Sequence, residues 1–457
     1  MTRLNKEAGK TLSHPKLRHP PSGGGTSVRN RWEATSISFA QRLGSTSSSR
    51  ITSSIQILVL TLCVSAALLG QEESGSPDGT RAGQIQAERL EKAANLIPEE
   101  LTPAERNLTT VKNTAERLFQ KGTVHMRVGG LPSGSGFGIG PVMELSNSTD
   151  AVRAELSAVG SVTRYYRVTA GLTFPKFGTR SLAVSLQTSH ADAPSLNYYG
   201  SGPNSQKGNR TDYRLEDTTG ELSLCWAPLR RHLIMKAEGG EVLINVGPGI
   251  RNDITSTEKR YGPHEARGID VQTNFIRGSS SIELDARDSV GDPHKGAHLA
   301  LQYQHYWDLK RHRYSFARTW ADLQLYLPIF NRKRVIALRG RADFTHPDRN
   351  QVVPFYLQPL LGEAADFRGF RPYRYRDNNV LLFNAEHRWE VSSGFDVALF
   401  ADSGRVFERA RQISLSHLKN SAGFGFRFKN REAVVLRIDT GFSREGWQTW
   451  VRFGNVF

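Results

Sequence analysis

Cysteine is scarce in this chain of 457 residues, which contains only Cys63 and Cys225. Cys63 lies in a segment that we expect to be removed during export, which would leave Cys225 as the only cysteine of the mature protein. A single thiol cannot form an internal disulfide, so an exported fold of this composition must draw its stability from another source. A closed, hydrogen-bonded β-barrel provides such a source.

Long apolar runs are equally rare. The mean hydropathy is −0.45, and after the first apolar segment no stretch approaches the ~20 consecutive apolar residues that a membrane-spanning helix needs. This shortage does not exclude a membrane protein, because a transmembrane β-strand alternates lipid-facing and lumen-facing residues and so has a low average hydropathy. The periodicity of the chain therefore matters more than its average.

The one continuously apolar segment, Ile51–Gln71, has the pattern of a secretory signal peptide. Arg50 precedes it, its apolar centre is short, and small residues follow. A membrane anchor helix is the alternative, but the apolar run Ile55–Val64 is short for a helix that spans a bilayer. We expect cleavage between Ala67 and Gln71, and therefore an exported protein.

The positive charge is concentrated near the N-terminus. The formal net charge is +16, and residues 1–50 hold nine basic and two acidic side chains. These residues are rich in Ser, Gly and Pro, and we predict a basic disordered extension or a wrongly assigned start. The charge that remains on the exported part is modest for its length, which argues against nucleic-acid binding.

Residues 72–135 are predicted to form a periplasmic linker and a helical segment. The helix would fall within residues 84–121, because Thr102, Pro103 and Glu105 have the features of a helix start. One face of this helix is apolar and comprises Leu108, Val111, Ala115 and Leu118. That face would pack against the mouth or lumen of a barrel, or else the segment would be a marginal periplasmic helix.

From residue 136 to residue 457 the dominant hydrophobic period is two. In the segment "REAVVLRIDTGF", one predicted face comprises Val434, Leu436, Ile438, Thr440 and Phe442, and the other Val435, Arg437, Asp439 and Gly441. A sandwich buries its apolar face and leaves a mixed face outside. An aliphatic and aromatic face opposite a face of charges and glycines is instead typical of lipid outside and water inside.

The periodicity predicts an all-β fold, a transmembrane antiparallel β-barrel of about 16 strands. The predicted strands start near residues 138, 150, 163, 180, 216, 232, 266, 279, 297, 313, 333, 379, 394, 420, 432 and 446. Short links alternate with long ones, as in outer-membrane barrels.

The long link between predicted strands eleven and twelve contains "ADFRGFRPYRYRD". In predicted strand thirteen, "FDVALFADSGRVF", alternation turns Asp396, Phe400 and Asp402 toward the lumen. A carboxylate there is costly unless it is paired. An arginine of the link would pair with it, and Gly369 would let the backbone turn tightly or approach the wall.

Three motifs in order resemble the BamA/TamA superfamily of outer-membrane barrels, also called the bacterial surface antigen family. They are "FRGF" at 367–370, "NAEHRW" at 384–389 and "FADSG" at 400–404. The resemblance implies that a loop tip folds into the lumen and that its arginine is clamped to an aspartate of strand thirteen. The implied clamp is Arg368, Gly369, Phe370 and Asp402, and the implied barrel-wall motif is Phe400, Gly404 and Glu386.

Further matches extend the resemblance over residues 136–457. They are "NYYGSGPNS" at 197–205, "LDARDSVGDPHKG" at 284–296, and Phe457, which resembles the aromatic C-terminal signal recognised by the barrel assembly machinery. Members that handle proteins carry periplasmic POTRA domains before the barrel, and residues 72–137 read as helix and linker instead. This departure puts client assembly in doubt.

The implied function is insertion or translocation of proteins at the outer membrane. The implied partners are outer-membrane lipids and lipopolysaccharide, the assembly machinery, and client polypeptides or a separate periplasmic partner. The alternative is a passive pore or structural surface barrel without POTRA domains, and an outer-membrane enzyme is a weaker third class. No cofactor, metal site or catalytic residue is expected.

The other arginines of the link allow two interpretations. Arg371, Arg374 and Arg376 could contact lipopolysaccharide or line a pore. The favoured interpretation is a solvated loop whose charge is balanced by Asp366 and Asp377.

Overall fold

The computed structural model describes residues 123–147, 150–362, 366–430 and 433–454. The predicted signal peptide, the predicted helix within residues 84–121 and the terminal Phe457 lie outside these ranges and remain predictions. Within the described ranges, no helix has both the length and the apolar character needed to cross a membrane.

The described chain is built almost entirely of antiparallel β-strands. Sixteen of them form one sheet in which each strand pairs with the next along the chain. The remaining two, β12 and β13, form a small ribbon inside the long link. In chain order the strands are β1 (Val124–Val128), β2 (Gly138–Ser146), β3 (Arg153–Ser161), β4 (Tyr166–Phe174), β5 (Leu182–Tyr198), β6 (Thr211–Trp226), β7 (Leu233–Pro248), β8 (Phe275–Asp285), β9 (Gly296–Trp307), β10 (Phe316–Ile329), β11 (Asn331–Pro347), β12 (Leu360–Leu361), β13 (Tyr375–Arg376), β14 (Asn379–Ser392), β15 (Phe395–Phe407), β16 (Lys419–Lys429), β17 (Val434–Ser443) and β18 (Gly446–Phe453).

Within the described ranges, helical structure is limited to single turns in the links between strands. The α-helical turn α1 covers Thr257–Arg260, in the link between β7 and β8. Three 3₁₀ turns cover Lys207–Asn209, Phe355–Leu357 and Ala410–Gln412. All of these turns lie at the end of the sheet where the links are long.

The predicted fold class and strand number are confirmed, but two errors in the strand positions cancel. The strand β1 was missed, because five residues are too few to show an alternating pattern. The strand predicted near residue 266 does not exist. Before β8, the side chain of Gln272 accepts a hydrogen bond from the backbone N–H of Val246 (3.0 Å), and that of Asn274 accepts one from Ile244 (3.4 Å). Side-chain amides thus take the place of a strand next to β7.

The alternation of the C-terminal strands separates an exposed apolar face from a buried polar one. Phe442, Trp447 and Val451 are half or more exposed, whereas Arg437 and Asp439 are buried. The first two residues of β17 are a correction: Val434 is buried and Val435 exposed, the reverse of the prediction. Lys429 pairs with Val434 and Phe428 with Leu436, so Val435 is an extra residue, a β-bulge that reverses the alternation.

The two ends of the strand order meet through side chains. Among the described residues no backbone ladder joins β1 to β18. Instead the ring of Phe137 packs edge-on against that of Phe453, with centroids 5.8 Å apart. Arg452 of β18 also donates a hydrogen bond to the hydroxyl of Ser133. The link between β1 and β2 therefore contacts the last strand.

Candidate functional site at the loop tip

The second half of the long link, residues 366–378, is charged and yet buried. Asp366, Arg368, Arg374 and Arg376 are each exposed by 2% or less. Guanidinium and carboxylate groups cannot be taken out of water without partners, because the desolvation cost of each ion is several kcal/mol. Every one of these side chains is therefore expected to have a specific contact, and the structure provides them.

Arg368 is fully buried and holds two carboxylates of neighbouring strands. Its Nη2 donates to Asp402 Oδ1 of β15 at 2.7 Å and its Nε to Asp402 Oδ2 at 3.0 Å. Its Nη1 donates to Glu386 Oε2 of β14 at 2.6 Å. The backbone N–H of Arg368 also donates to Asp402 Oδ2 at 3.0 Å, and the guanidinium lies 3.4 Å from the ring centroid of Phe400. This fork-to-fork geometry is the strongest form of ion pair.

Both carboxylates are shared with further polar side chains of the wall. Glu386 Oε1 accepts from Arg388 Nε at 2.9 Å and from Arg427 Nη2 at 3.0 Å. Asn384 donates to Asp402 Oδ1 at 2.8 Å and to the carbonyl of Asp366 at 2.7 Å. The loop tip and the wall thus form one hydrogen-bonded network in which each ion depends on several partners.

Gly369 and Gly441 let the loop tip approach the wall closely. A Cβ on Gly369 would lie 2.4 Å from Ser421 Cβ and 2.9 Å from the carbonyl oxygen of Phe442. A Cβ on Gly441 of β17 would lie 2.6 Å from the carbonyl carbon of Arg368. Gly369 does not have a positive φ, so close approach rather than turn formation requires glycine there.

The backbone of the tip also contacts the last two strands of the sheet. The carbonyl of Arg368 accepts a hydrogen bond from Trp450 Nε1 of β18 at 2.8 Å. The carbonyl of Gly369 accepts one from the hydroxyl of Ser443, at the end of β17, at 2.7 Å. One short segment therefore contacts strands from β14 to β18.

Phe370 and Gly404 belong to a small apolar cluster beside the ion network. The ring of Phe370 stacks on Phe367 with centroids 4.4 Å apart and an interplanar angle of 8°. Gly404 makes room for Leu361 of β12, whose Cδ1 would lie 2.9 Å from a Cβ at that position. The buried members of this cluster are Leu361, Phe367, Phe370, Tyr375, Val380, Leu382 and Val406.

The interpretation of the other arginines as a solvated loop is wrong for Arg374 and Arg376. Arg374 Nη2 lies 2.7 Å from Glu445, in the turn between β17 and β18. Arg376 donates to the carbonyl of Phe355 at 2.7 Å and to the hydroxyl of Tyr213 at 2.8 Å. These side chains are buried because the loop packs against the turn between β17 and β18 and against Phe355 and Tyr213. A solvated loop would leave them in water.

The two predicted counter-charges also have other roles. Asp366 pairs with Arg341 of β11, and not with a neighbouring arginine of the loop. Asp377 accepts a hydrogen bond from the backbone N–H of Asn378 at 2.8 Å. Arg371 remains partly exposed.

The two further motifs, at 197–205 and 284–296, each include a residue that binds a charged side chain near the ion network. Ser205, at the end of "NYYGSGPNS", accepts a hydrogen bond on its hydroxyl from Arg374 Nη1 at 2.9 Å. Asp292 of "LDARDSVGDPHKG" lies in the link between β8 and β9 and pairs with Lys429 of β16 at 3.0 Å.

Sequence reasoning missed several residues that complete the site. They are Arg341, Asn384, Arg427, Asp439, Ser443, Glu445 and Trp450. Only Asn384 carried a signal, because it begins the motif "NAEHRW" at 384–389. The others lie in β11, β16, β17, β18 and the turn between β17 and β18. Their contacts with the loop depend on how the barrel brings these elements together.

The site is a network of buried ion pairs. Its groups are buried arginines and carboxylates that neutralise one another. Within the described ranges, no group of three or more His, Cys, Asp and Glu side chains could hold a metal ion.

The fold and these contacts define a class: a sixteen-stranded antiparallel barrel with an apolar outer face and an arginine of a long loop bound to its wall. Residues 146–443 match the family model of the Omp85 superfamily domain. The chain belongs to the Omp85 superfamily, and it is an outer-membrane protein. A search of curated proteins finds no match.

Solved structures are also similar to this chain, and the first of the three below, whose TM-score is above 0.5, shares its fold. BamA from Haemophilus ducreyi lacking POTRA domains 1–3 aligns with a TM-score of 0.52 and 14% identity, over 76% of this chain and 76% of that one. CdiB from Acinetobacter baumannii aligns with a TM-score of 0.43 and 12% identity, over 72% of this chain and 59% of its own. CdiB from Escherichia coli aligns with a TM-score of 0.45 and 14% identity, over 73% and 61%.

Proposed function

We propose that this barrel inserts or translocates polypeptides at the outer membrane, and that its loop tip folds into the lumen and clamps the wall. The observation that carries the proposal is the position of Arg368. Its side chain binds β14 and β15, and its carbonyl binds Trp450 of β18. Membership of the Omp85 superfamily supports the general role, and the contacts support the clamp.

The mechanism follows from the edge of β18, which among the described residues has no backbone ladder to β1. An unpaired strand edge in a bilayer exposes backbone N–H and C=O groups that lipid cannot satisfy. The seam between β1 and β18 is joined by side chains, so it is the weakest line of the wall. While Arg368 is bound, β17 and β18 are tied to the rest of the wall. Release of the tip would free the last hairpin to move and admit a client strand.

The proposed partners follow from this mechanism. A client would be an unfolded polypeptide that presents a strand to the seam, and it comes from the periplasm alone or with a separate periplasmic partner. Outer-membrane lipids and lipopolysaccharide surround the barrel, and the assembly machinery inserts the barrel itself.

The clamp is tested by planar-bilayer conductance of the full chain and its Arg368→Ala variant. We expect the wild type to be mostly closed and the variant to show frequent openings. Arg411→Ala is the matched control, because Arg411 is exposed in the link after β15. A large, steady wild-type conductance that is the same in Arg368→Ala would overturn the clamp and favour a passive pore.

The handling of clients is tested separately. Proteoliposomes with the wild-type protein receive a urea-unfolded outer-membrane barrel, and its folding is followed by heat-modifiability on gels. We expect faster folding than in protein-free liposomes. Equal rates in both kinds of liposome would contradict the insertion role while leaving the clamp to the conductance test.

A further inference from the structure

Three arginines form a row across the last three strands. Arg427 of β16 is directly opposite Arg437 of β17, which is directly opposite Arg452 of β18. Directly opposite residues of an antiparallel pair point to the same face, with Cβ atoms about 5 Å apart. Arg427 contacts Glu386 on the inner side of the wall, so all three point inward. Like charges in this arrangement repel one another.

The available carboxylates neutralise only the first arginine of the row. Arg427 Nη1 donates to Asp439 Oδ1 at 2.6 Å, and its Nη2 donates to Glu386. The nearest carboxylate oxygen to Arg437 Nη1 is Asp439 Oδ2, at 3.8 Å, which is too far for a hydrogen bond. Within the part of the chain that the structure describes, Arg452 has no carboxylate within 4 Å and bonds only to the hydroxyl of Ser133.

Arg437 is the unusual member of the row. Its side chain is 3% exposed, and its Nε and Nη1 have no hydrogen-bond partner. A guanidinium cannot lose its proton to escape burial. Burying a charge that makes no hydrogen bond to its counter-ion is costly, so a further compensating anion is the expected physical solution.

We propose that Arg437 and Arg452 form a binding site for a phosphate group inside the barrel. Within the described residues, neither of these two neighbouring guanidiniums is hydrogen-bonded to a carboxylate, and together they call for a doubly charged anion. Their planar forks match the oxygens of phosphate. Arg452 is only partly buried and gives access to the pair from the lumen.

The site lies next to the seam, near the short-link end of the last strands. Arg452 is the penultimate residue of β18, and its partner Ser133 belongs to the link between β1 and β2. The phosphate could be a soluble ion or the headgroup of a lipid, and both present the same chemistry. In either case the anion would sit where the ends of the sheet meet, and its binding would stabilise the last hairpin.

The test is thermal unfolding of the full chain in a maltoside detergent, with inorganic phosphate or with chloride at matched ionic strength. We expect phosphate to raise the wild-type unfolding temperature and chloride to have no such effect, because a ligand that binds only the folded state stabilises it. Arg437→Gln and Arg452→Gln should each abolish the rise. Arg437→Gln should also raise the unfolding temperature without phosphate, since it removes a buried charge whose Nε and Nη1 have no hydrogen-bond partner.

Arg411→Gln is the matched control and should retain the full effect of phosphate. Arg452→Gln keeps the test decisive even where Arg437→Gln folds poorly, because Arg452 is only partly buried. An equal response to phosphate and chloride in the wild type overturns the proposal, as does a phosphate response that survives both substitutions.

A second measurement identifies the source of the phosphate. The wild type is unfolded in phosphatidylcholine vesicles with and without phosphatidic acid, and inorganic phosphate is then added. A stabilisation by phosphatidic acid that leaves no further effect of inorganic phosphate assigns the site to a lipid headgroup. A response to inorganic phosphate alone assigns it to a soluble ion.

Discussion

The two halves of the long link between β11 and β14 are held by opposite kinds of interaction. The first half, residues 348–362, packs by apolar and aromatic contacts. The ring of Phe355 lies 4.9 Å from those of both Tyr198 and Tyr213. The second half, residues 366–378, also contributes to an apolar cluster, but what distinguishes it is its buried ion pairs, of which Arg368 with Asp402 and Glu386 is the centre.

The difference predicts how strongly a substitution in each half will affect stability. Apolar packing is non-directional and roughly proportional to buried area, so a small change in shape has a small effect. A buried ion pair depends on each partner, because removal of one leaves the other charged and unsolvated. The first half is therefore suited to anchoring the link. The second half is suited to a change between a state in which the loop tip is bound to the wall and one in which it is released.

The largest effect is expected from Arg368→Ala. It leaves Asp402 buried without its cation and removes one of the three arginines that contact Glu386, and loss of one partner of a buried pair costs about 3–5 kcal/mol. We expect a loss of this size in the free energy of unfolding by urea in lipid vesicles. Adding Asp402→Asn to the variant should recover part of the loss, because it removes the carboxylate that Arg368 alone neutralised. A double variant that is less stable than Arg368→Ala would contradict this account.

The next effect tests close approach of the loop tip to the wall. Gly441→Ala places a methyl group 2.6 Å from the backbone of Arg368, and such overpacking costs about 1–3 kcal/mol. We expect lower stability to urea and more frequent channel openings. Gly220→Ala in β6 is the control, because nothing lies within 4 Å of a Cβ there. Equal effects of the two substitutions would argue against the close contact.

A third effect concerns the buried carboxylate of Asp377. Asp402 is paired with Arg368, whereas the hydrogen bond given above for Asp377 comes from the backbone N–H of Asn378. Burial raises its pKa from 3.8 to about 6. The folded state therefore binds a proton more tightly than the unfolded state, and stability falls as the pH rises from about 4 to about 6. We expect Asp377→Asn to stabilise the protein by on the order of 2 kcal/mol at pH 8.

The measurement for Asp377→Asn is the difference in unfolding free energy between variant and wild type from pH 4 to pH 8. That difference should grow across this range, and comparison with the wild type cancels the titration of other groups. A difference that is constant with pH would rule out Asp377 as the cause.

The smallest effect is expected in the apolar half. Phe355→Leu conserves most of the buried volume but loses the ring contacts to Tyr198 and Tyr213, so it should cost about 1 kcal/mol. We expect no change in conductance, because the ion network is untouched. A loss as large as that of Arg368→Ala would show that the two halves do not differ in the way described.

Much of the barrel was predictable because it rests on local alternation. The long strands β14 to β18 reveal their two faces in the sequence, and a period of two is a property of neighbouring residues. The short strand β1 and the segment before β8 were misassigned because local alternation is absent or misleading there. Five residues carry too little pattern, and side-chain pairing by Gln272 has no sequence signature.

The contacts of the loop tip were predictable only in part. The pairing of Arg368 with Asp402 was suggested by motif resemblance and by the cost of a buried carboxylate. The contacts of the tip with Trp450 and Ser443 were not predictable. These residues are about 80 positions away in the sequence, and they meet the tip only when the strands have assembled into the barrel wall. The burial of Arg374 and Arg376 was missed because charge alone suggested a solvated loop.

The sequence by itself determined that this protein is a transmembrane barrel of about sixteen strands, because the alternation of apolar and polar residues is written along each strand. Only the tertiary structure decided which charges meet. The register of β16, β17 and β18 sets three arginines side by side. The assembled sheet brings residues of four strands, β14, β15, β17 and β18, to Arg368 of the loop. Such pairings depend on the stagger of the closed sheet, which no short stretch of residues encodes.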